Sequence, residues 1–457
     1  MLSFEITNNK DDRNDLVLKI KNSEKRFKIA VIGAGISGLS SAWLLSKNHD
    51  VRVYEKNSWI GGHSNTQIVP TEFGDIPVDT GFIVYNEVTY PNLVAMFEHF
   101  NVPTKKSEMS FAVSLNQGQF EYSGTNINGL FGQRSNIFKL KFWKMLGSVL
   151  RFYREAPVFL VSGSLENMSL GQFLDKNNFS QEFIKYHLLP MGAAIWSTSL
   201  AEVKDYPVSS FIEFFKNHGL MQIRNRPQWK TVDGGSREYV NRLTKSFSDN
   251  ILLTGVNSIK RKSQQVLIED SNGIVEYFDY VVIATHADEA LQLLSDADAL
   301  ESNVLKQWRY SANKAVLHTD CRLMPKRAHI WSSWNFLGSD LEESQENLCV
   351  TYWMNRLQGI NTKAPIFLTL NPKDIDHNRI IREFEYTHPQ FNKNALLSQQ
   401  QLWSLQGHRR TWYCGSYFGA GFHEDGLQAG LAVAEELGGM KRPWKLINEN
   451  DRINFNT

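Results

Sequence analysis

Cysteine is scarce in this sequence: Cys321, Cys349 and Cys414 are the only three among 457 residues, and they stand far apart. Without C-x-x-C pairs they suit neither a zinc site nor a redox dithiol, and an odd, sparse set excludes a disulfide framework. Charge of one sign is lacking too. With 49 basic and 48 acidic residues the formal charge is +1, which removes the electrostatic footprint of a nucleic-acid-binding chain. No uninterrupted apolar run is long enough to cross a bilayer. The first 26 residues carry Asp11, Asp12, Arg13, Lys19, Lys21, Glu24, Lys25 and Arg26 and hold no apolar core of the kind a secretory signal needs, so they read as a polar extension. These absences point to a cytoplasmic protein, soluble or peripheral to the inner face of a membrane. His318, Asp320, His329 and Asn335 are polar groups among aromatics and therefore acid-base candidates, but they lack metal-ligand spacing and no metal is expected.

What is present begins at residues 27–55, around which the rest of the chain is organised. Ile29, Ala30, Val31 and Ile32 form a continuous apolar run of the kind that makes a parallel strand buried on both faces. Gly33-Ala-Gly35-Ile36-Ser37-Gly38 follows, and Leu39, Ala42, Trp43 and Leu45 then recur at helical spacing. Gly33 turns the chain, Gly35 lets the backbone approach a pyrophosphate, and Gly38 lets helix and strand pack closely. The phosphates belong on the positive end of that helix, at Ile36 and Ser37. A second apolar run, 51–54, ends in Glu55, placed to bind a ribose hydroxyl. Taken alone, this unit binds NAD or FAD.

Immediately beyond Glu55 stand Lys56-Asn-Ser-Trp-Ile-Gly61-Gly62-His63. The spacing E-x5-G-G, with Gly33, Gly35 and Gly38, resembles the FAD-binding amino terminus of the flavin amine oxidase superfamily, which includes monoamine oxidase, protoporphyrinogen oxidase and phytoene desaturase. The resemblance implies FAD, held also by Lys56, Gly61, Gly62 and His63, the last standing where relatives commonly place an Arg. Asp79 and Gly81 sit where the superfamily passes close to the flavin; the alternative for Asp79 is a backbone cap in a strand and turn. The strand expected at 251–256, after Gly234 and Gly235, would bring Val256 to the adenine.

A second signature closes the chain. A short strand at 412–414 meets a glycine-rich loop, and Asp425 caps a helix carrying Leu427, Leu431, Ala434 and Leu437. In the family this helix is aimed at the flavin N1 and O2 edge, which implicates Gly415, Ser416, Glu424, Asp425, Gly426 and Leu427. Relatives place an acid directly after the strand; here Gly415 and Ser416 stand there, so Glu424 or Asp425 is expected to supply the carboxylate. Cys414 lies within the strand, and covalent flavin attachment through it is not expected. Lys314, in Ser311-Ala-Asn-Lys314, resembles the lysine that holds a water near flavin N5 in monoamine oxidases and is the catalytic candidate. A solvent-facing strand lysine is the plainer reading.

Between the signatures, residues 136–159 interleave Phe138, Leu140, Phe142, Trp143 and Leu150 with Lys139, Lys141, Lys144, Arg151 and Arg154. Such a helix either forms part of a substrate domain with a solvated basic face or lies on an anionic membrane. Residues 189–198 are apolar and aromatic, suiting either a pocket or a plain core. The expected fold is therefore α/β: a Rossmann-like FAD-binding domain with a parallel sheet (27–105, 229–300 and 407–445), interleaved with an α+β substrate-binding domain (106–228 and 301–406) and followed by a tail, 446–457. Pro190-Met-Gly-Ala-Ala-Ile-Trp-Ser and Gly421-Phe-His-Glu-Asp-Gly are similar to a narrower bacterial group of amine-oxidase-like proteins associated with cyclopropane fatty acid synthase-like methyltransferases. That resemblance implies a lipid substrate and a methyltransferase partner. The function expected is hydride transfer between an apolar, fatty-acyl or lipid substrate and flavin N5, as desaturation or double-bond isomerisation. The alternatives are a flavin amine oxidase and a non-catalytic flavin-bound partner of a lipid methyltransferase.

Overall fold

The computed structural model describes residues 25–163, 168–222, 226–338 and 349–455, with residues 17, 18, 20, 23 and 165 besides. Its organising layer is a five-stranded sheet in the order Ile251–Leu252, Asp50–Tyr54, Lys28–Ile32, Tyr280–Ile283 and Thr411–Tyr413, every pair parallel. Lys28–Ile32 is central. Its Ile29, Ala30 and Val31 are fully buried between flanking layers, which is why the segment reads as an unbroken apolar run. Because the strands run the same way, their carboxyl ends gather on one edge, where open α/β sheets bind ligands.

Helix Ile36–Leu45 leaves that edge and is crossed by helix His423–Glu436. Gly430 makes the crossing: a Cβ there would lie 2.2 Å from the Ser37 carbonyl oxygen, and one on Gly426 would lie 2.8 Å from Ser37 Oγ. Only residues without a Cβ allow this approach.

The expected strand at 251–256 is divided. Ile251–Leu252 pairs with the parallel sheet, whereas Val256–Arg261 opens an antiparallel sheet with Val266–Asp270 and Val275–Phe278. The Gly255 carbonyl accepts from Ser271 N at 2.8 Å, which draws the chain off the parallel edge.

A second sheet of seven strands runs in the order Ile380–Pro389, Tyr310–His318, Phe367–Leu370, Cys349–Trp353, Trp334–Gly338, Phe111–Leu115 and Phe120–Ser123. Only the Trp334–Gly338 and Phe111–Leu115 pairing is parallel. Leu189–Trp196, Val208–Asn217 and the long helix Leu140–Val161, which follows a 3-10 turn at Arg134–Phe138, complete this half.

Candidate active site

A cavity of about 1480 Å³ runs from the carboxyl edge of the parallel sheet to the long helix. At the sheet end its wall is mainly backbone. Gly33, Gly35, Ile36, Ser37, Glu55, Lys56, Gly61, Gly62, His63, Gly81, Val256, Gly415 and Ser416 all line it. Helix Ile36–Leu45 begins at Gly35 with no side-chain cap and no acid in its first turn, so its leading N–H groups are left for an anion. A Cβ on Gly35 would meet nothing within 4 Å, whereas one on Gly81 would lie 2.2 Å from the His63 carbonyl oxygen. The first glycine faces open space and the second permits two loops to touch. Glu55 is held by Ala34 N at 2.8 Å and by Asn57 N and Nδ2 at 2.9 Å, an arrangement that keeps the carboxylate oriented at the strand end. Lys56 pairs with Glu289. Gly38 lies behind the wall, its missing Cβ accommodating the Gly33 carbonyl oxygen.

Besides Gly38, six sequence-based candidates fall outside this wall. Asp79 is fully buried and accepts from Thr66 Oγ1 at 2.6 Å, Ser236 N and Oγ at 2.8 Å and Gln358 Nε2 at 2.9 Å. It pins the Gly234–Gly235 turn to the neighbouring strand, so the capping alternative describes it, and burial raises its carboxyl to about 6. Glu424 accepts from Asn92 N, Asn92 Nδ2 and Leu93 N at 3.0, 2.9 and 2.9 Å, capping helix Pro91–His99. Asp425 accepts from Phe422 N at 2.7 Å and pairs with Arg452 at 2.8 Å. Both acids are thus consumed at helix termini, and neither lines the cavity to offer the carboxylate expected of them. Gly426 and Leu427 turn with them toward the helix crossing and the core. Lys314 is half-exposed on a strand and pairs with Glu383 at 2.8 Å, away from the cavity. The structure therefore removes it as the catalytic candidate.

The acid-base candidates are also different histidines. His318 Nε2 meets Thr369 Oγ1 at 2.6 Å within the second sheet, and His329 Nε2 meets the Gly132 carbonyl at 2.8 Å. Neither His318 nor His329, and neither Asp320 nor Asn335, lines the cavity; His63, His286, His388, His423, His187 and His218 do. His63 stacks on Tyr386 at 4.9 Å and lies 5.3 Å from His388, while His423 stacks on Phe82 at 3.9 Å and meets Tyr239 Oη at 2.7 Å. Burial pushes His388 down to about 4 and His423 to about 3, and it lowers His63 and His286, so this cluster is neutral. His286 had a sequence signal: with Thr285 it directly follows a buried parallel strand, where ligand groups gather. His388 had none, because a distant strand brings it there.

Toward the long helix the wall becomes apolar and aromatic. Met145, Leu146, Val149 and Leu150 come from that helix, Met191, Ile195 and Trp196 from residues 189–198, and Phe214 and His218 from the next helix and its end. His218 Nδ1 lies 2.9 Å from the Phe214 carbonyl oxygen. A carbonyl only accepts, so Nδ1 carries the proton and Nε2 presents a lone pair. That Nε2 is buried and has no partner among the described residues. Burial holds the ring neutral, with its pKa pushed down to about 4. His187, in a π-helical turn at Ile184–Leu188, lies instead between Tyr122 Oη at 2.8 Å and Tyr153 Oη at 3.2 Å.

A parallel sheet, two glycine-crossed helices and an oriented acid at one end of a cavity, with an apolar arm at the other, form the architecture of a dinucleotide-binding protein. Residues 36–437 match the family described as flavin containing amine oxidoreductase; the chain belongs to that family and is an FAD-dependent oxidoreductase. Among solved structures it is similar to the CLA-producing fatty acid isomerase from P. acnes, with 14% identity, a TM-score of 0.62, and 91% of this chain and 98% of that one covered. It is similar also to cyclohexylamine oxidase from Brevibacterium oxydans IH-35A, with 15% identity, a TM-score of 0.62, and 90% and 100% covered. At such identities the likeness is one of fold. An uncharacterized protein of Methanocaldococcus jannaschii is 26% identical over 204 residues, and this match spans 42% of the chain and 43% of that relative. The chain thus matches less than half the length of that curated relative.

The residues present fit FAD. Open space at Gly35, an uncapped helix start and Glu55 provide for the pyrophosphate and a ribose, and His63 Nε2 is buried without a partner among the described residues. An unpaired buried nitrogen costs about 1–3 kcal/mol unless a ligand meets it. Among the described residues no cluster of three or more His, Cys, Asp or Glu is placed to hold a metal, and no helix is long and apolar enough to cross a membrane.

Proposed function

We propose that the protein oxidises or isomerises a long apolar substrate, a fatty-acyl chain or lipid, within the arm between its parallel sheet and its long helix. The observation that carries this reading is the character of the arm: aliphatic and aromatic side chains from three separate segments, with neutral His187 and His218 and with Arg226 on its wall. Among the described residues Arg226 has no ion-pair partner, and its charge bears on Tyr153 and His187. A cationic amine would be repelled there, whereas an acyl chain with an anionic or neutral head would be accepted.

When bound, FAD supplies a two-electron acceptor at flavin N5, discharged to dioxygen or another oxidant in desaturation, or giving the hydride back in isomerisation. The chain's own residues supply the rest. Hydride departure leaves positive charge on an acyl carbon, and the faces of Phe214, Phe422 and Trp196 stand in the wall to stabilise it. In desaturation the neighbouring C–H is then acidic enough that a weak neutral base suffices, and His218 Nε2 provides the open lone pair to take that proton; in isomerisation the hydride returns to another carbon of the same delocalised cation and no proton is lost. His218 is oriented to take the proton by its Nδ1 bond and by stacking on Phe214 at 3.8 Å. The fatty acid isomerase among the structural neighbours shares the fold and is in keeping with this chemistry; cyclohexylamine oxidase shares it equally, so support for the acyl reading comes from the arm and not from the likeness. Anaerobic mixing of the FAD-loaded protein with fatty acids, phospholipids and amines tests the reading. Bleaching of the flavin band by an acyl lipid is expected; bleaching by amines alone would replace the reading with amine oxidation.

A further inference from the structure

We propose that the outward face of the long helix, with the turn before it, rests on the surface of an anionic phospholipid bilayer. The starting observation is a helix whose solvent side is apolar where a solvated helix should be polar. Phe138 is 89% exposed, Leu140 69%, Val158 67% and Val161 81%, and Trp143 and Leu150 are exposed as well. Positions 140, 143, 147, 150, 154, 158 and 161 succeed one another at three- and four-residue steps, so they form one stripe. The opposite side is already used. Phe142, Met145, Phe152 and Ala156 are buried in the core, so packing does not account for the stripe.

Charge identifies the occupant. Residues 126–163 contain Arg134, Lys139, Lys141, Lys144, Arg151 and Arg154 against one acid, Glu155, although the whole chain is nearly neutral. Glu155 is shared by Arg151 at 3.3 Å and Arg154 at 2.9 Å. Lys139 turns back to Asn136 Oδ1 at 3.0 Å, and Arg151 lies over the Phe179 ring at 4.0 Å. Arg134, Lys141 and Lys144 remain exposed, with no ion pair among the described residues. Apolar side chains flanked by such cations match a bilayer surface, where the former enter the headgroup and acyl boundary and the latter meet phosphates. A second copy of this chain is a poorer fit, because a two-fold pairing would set the same basic flanks against each other.

The surface is continuous with the cavity. Leu150 is 56% exposed on the stripe and also lines the cavity, so the wall of the substrate arm reaches the membrane-facing side. Docking stands without the proposed chemistry; only the idea that lipid passes by Leu150 rests on it.

Flotation of the FAD-loaded protein with phosphatidylcholine vesicles, with and without phosphatidylglycerol, tests this directly. Binding is expected only with phosphatidylglycerol, weakened by added salt. The double variant Lys141→Glu/Lys144→Glu should lose roughly tenfold or more in partitioning, from the electrostatic worth of lysines at such a surface. Leu140→Ser/Trp143→Ser should lose binding through the apolar side, and in both variants an unchanged flavin spectrum certifies the fold. Wild type that fails to float, or that floats equally on both vesicles, overturns the proposal. So does a concentration-dependent dimer abolished by Leu140→Ser/Trp143→Ser without vesicle binding, which assigns the stripe to a second copy. Protein that floats on anionic vesicles yet is reduced by no lipid keeps the docking and removes the acyl chemistry.

Discussion

The two ends of the cavity are made by different means. The sheet end is built from backbone: helix N–H groups, glycines that let loops and helices touch, and one acid held by three N–H bonds. The arm is built from side chains that converge from Met145, Met191, Trp196, Phe214 and the second sheet. A backbone-built site tolerates almost no added volume, whereas a side-chain-built arm adapts its shape and sets its chemistry by which polar groups it leaves unpaired. The first end therefore suits a cofactor of fixed shape, and the second is the end proposed to hold the substrate.

That contrast is easiest to break at the helix crossing. Gly430→Ala places a Cβ 2.2 Å from a backbone oxygen and 2.3 Å from Ser40 Oγ, so the helices must part and the purified protein should lose its flavin absorbance. Gly147→Ala, on the long helix with nothing within 4 Å of its Cβ, is the matched control. It should keep the flavin and gain up to about 1 kcal/mol of stability, read from denaturant unfolding.

On the arm side, His218→Gln should leave bound flavin intact and slow substrate-dependent flavin reduction by about 10²- to 10⁴-fold, the usual worth of a positioned base. Stopped-flow reduction at saturating lipid measures it. An unchanged rate would return His218 to a packing role.

A smaller effect joins both ends. His388 and His423 are buried neutral, with folded pKa values of about 4 and about 3 against 6.5 for a free imidazole. Between pH 6.5 and those values the unfolded chain binds the proton and the folded chain does not, so stability is full above pH 6.5 and falls as the pH drops. His388 alone accounts for roughly 3 kcal/mol of this at most. His388→Gln should flatten the fall measured by urea unfolding at pH 7 and pH 5.

What the sequence reveals follows the same division. The motif from Gly33 to Glu55 is legible because strand, turn, helix and acid are contiguous and each residue type answers a local backbone demand. Glu424 and Asp425 mislead because acids at a helix start suit a cofactor edge and ordinary capping equally well, and only the positions of Asn92 and Arg452 decide. Lys314 misleads for a related reason: a strand position does not state which face reaches the cavity. His388 and His218 were invisible as site residues because their partners, Asn313 and the Phe214 carbonyl, matter through geometry that no spacing encodes. The long helix was legible in composition, but its division into a cavity face, a core face and an exposed apolar stripe needed the fold.

Central to the proposed function is a preference of the arm for an acyl chain over an amine. The direct measurement is the anaerobic flavin spectrum of the loaded protein titrated with fatty acid, phospholipid and alkylamine of equal chain length. Loss of the oxidised flavin band with an acyl lipid and none with the amine is the predicted result; reduction by the amine alone would contradict it.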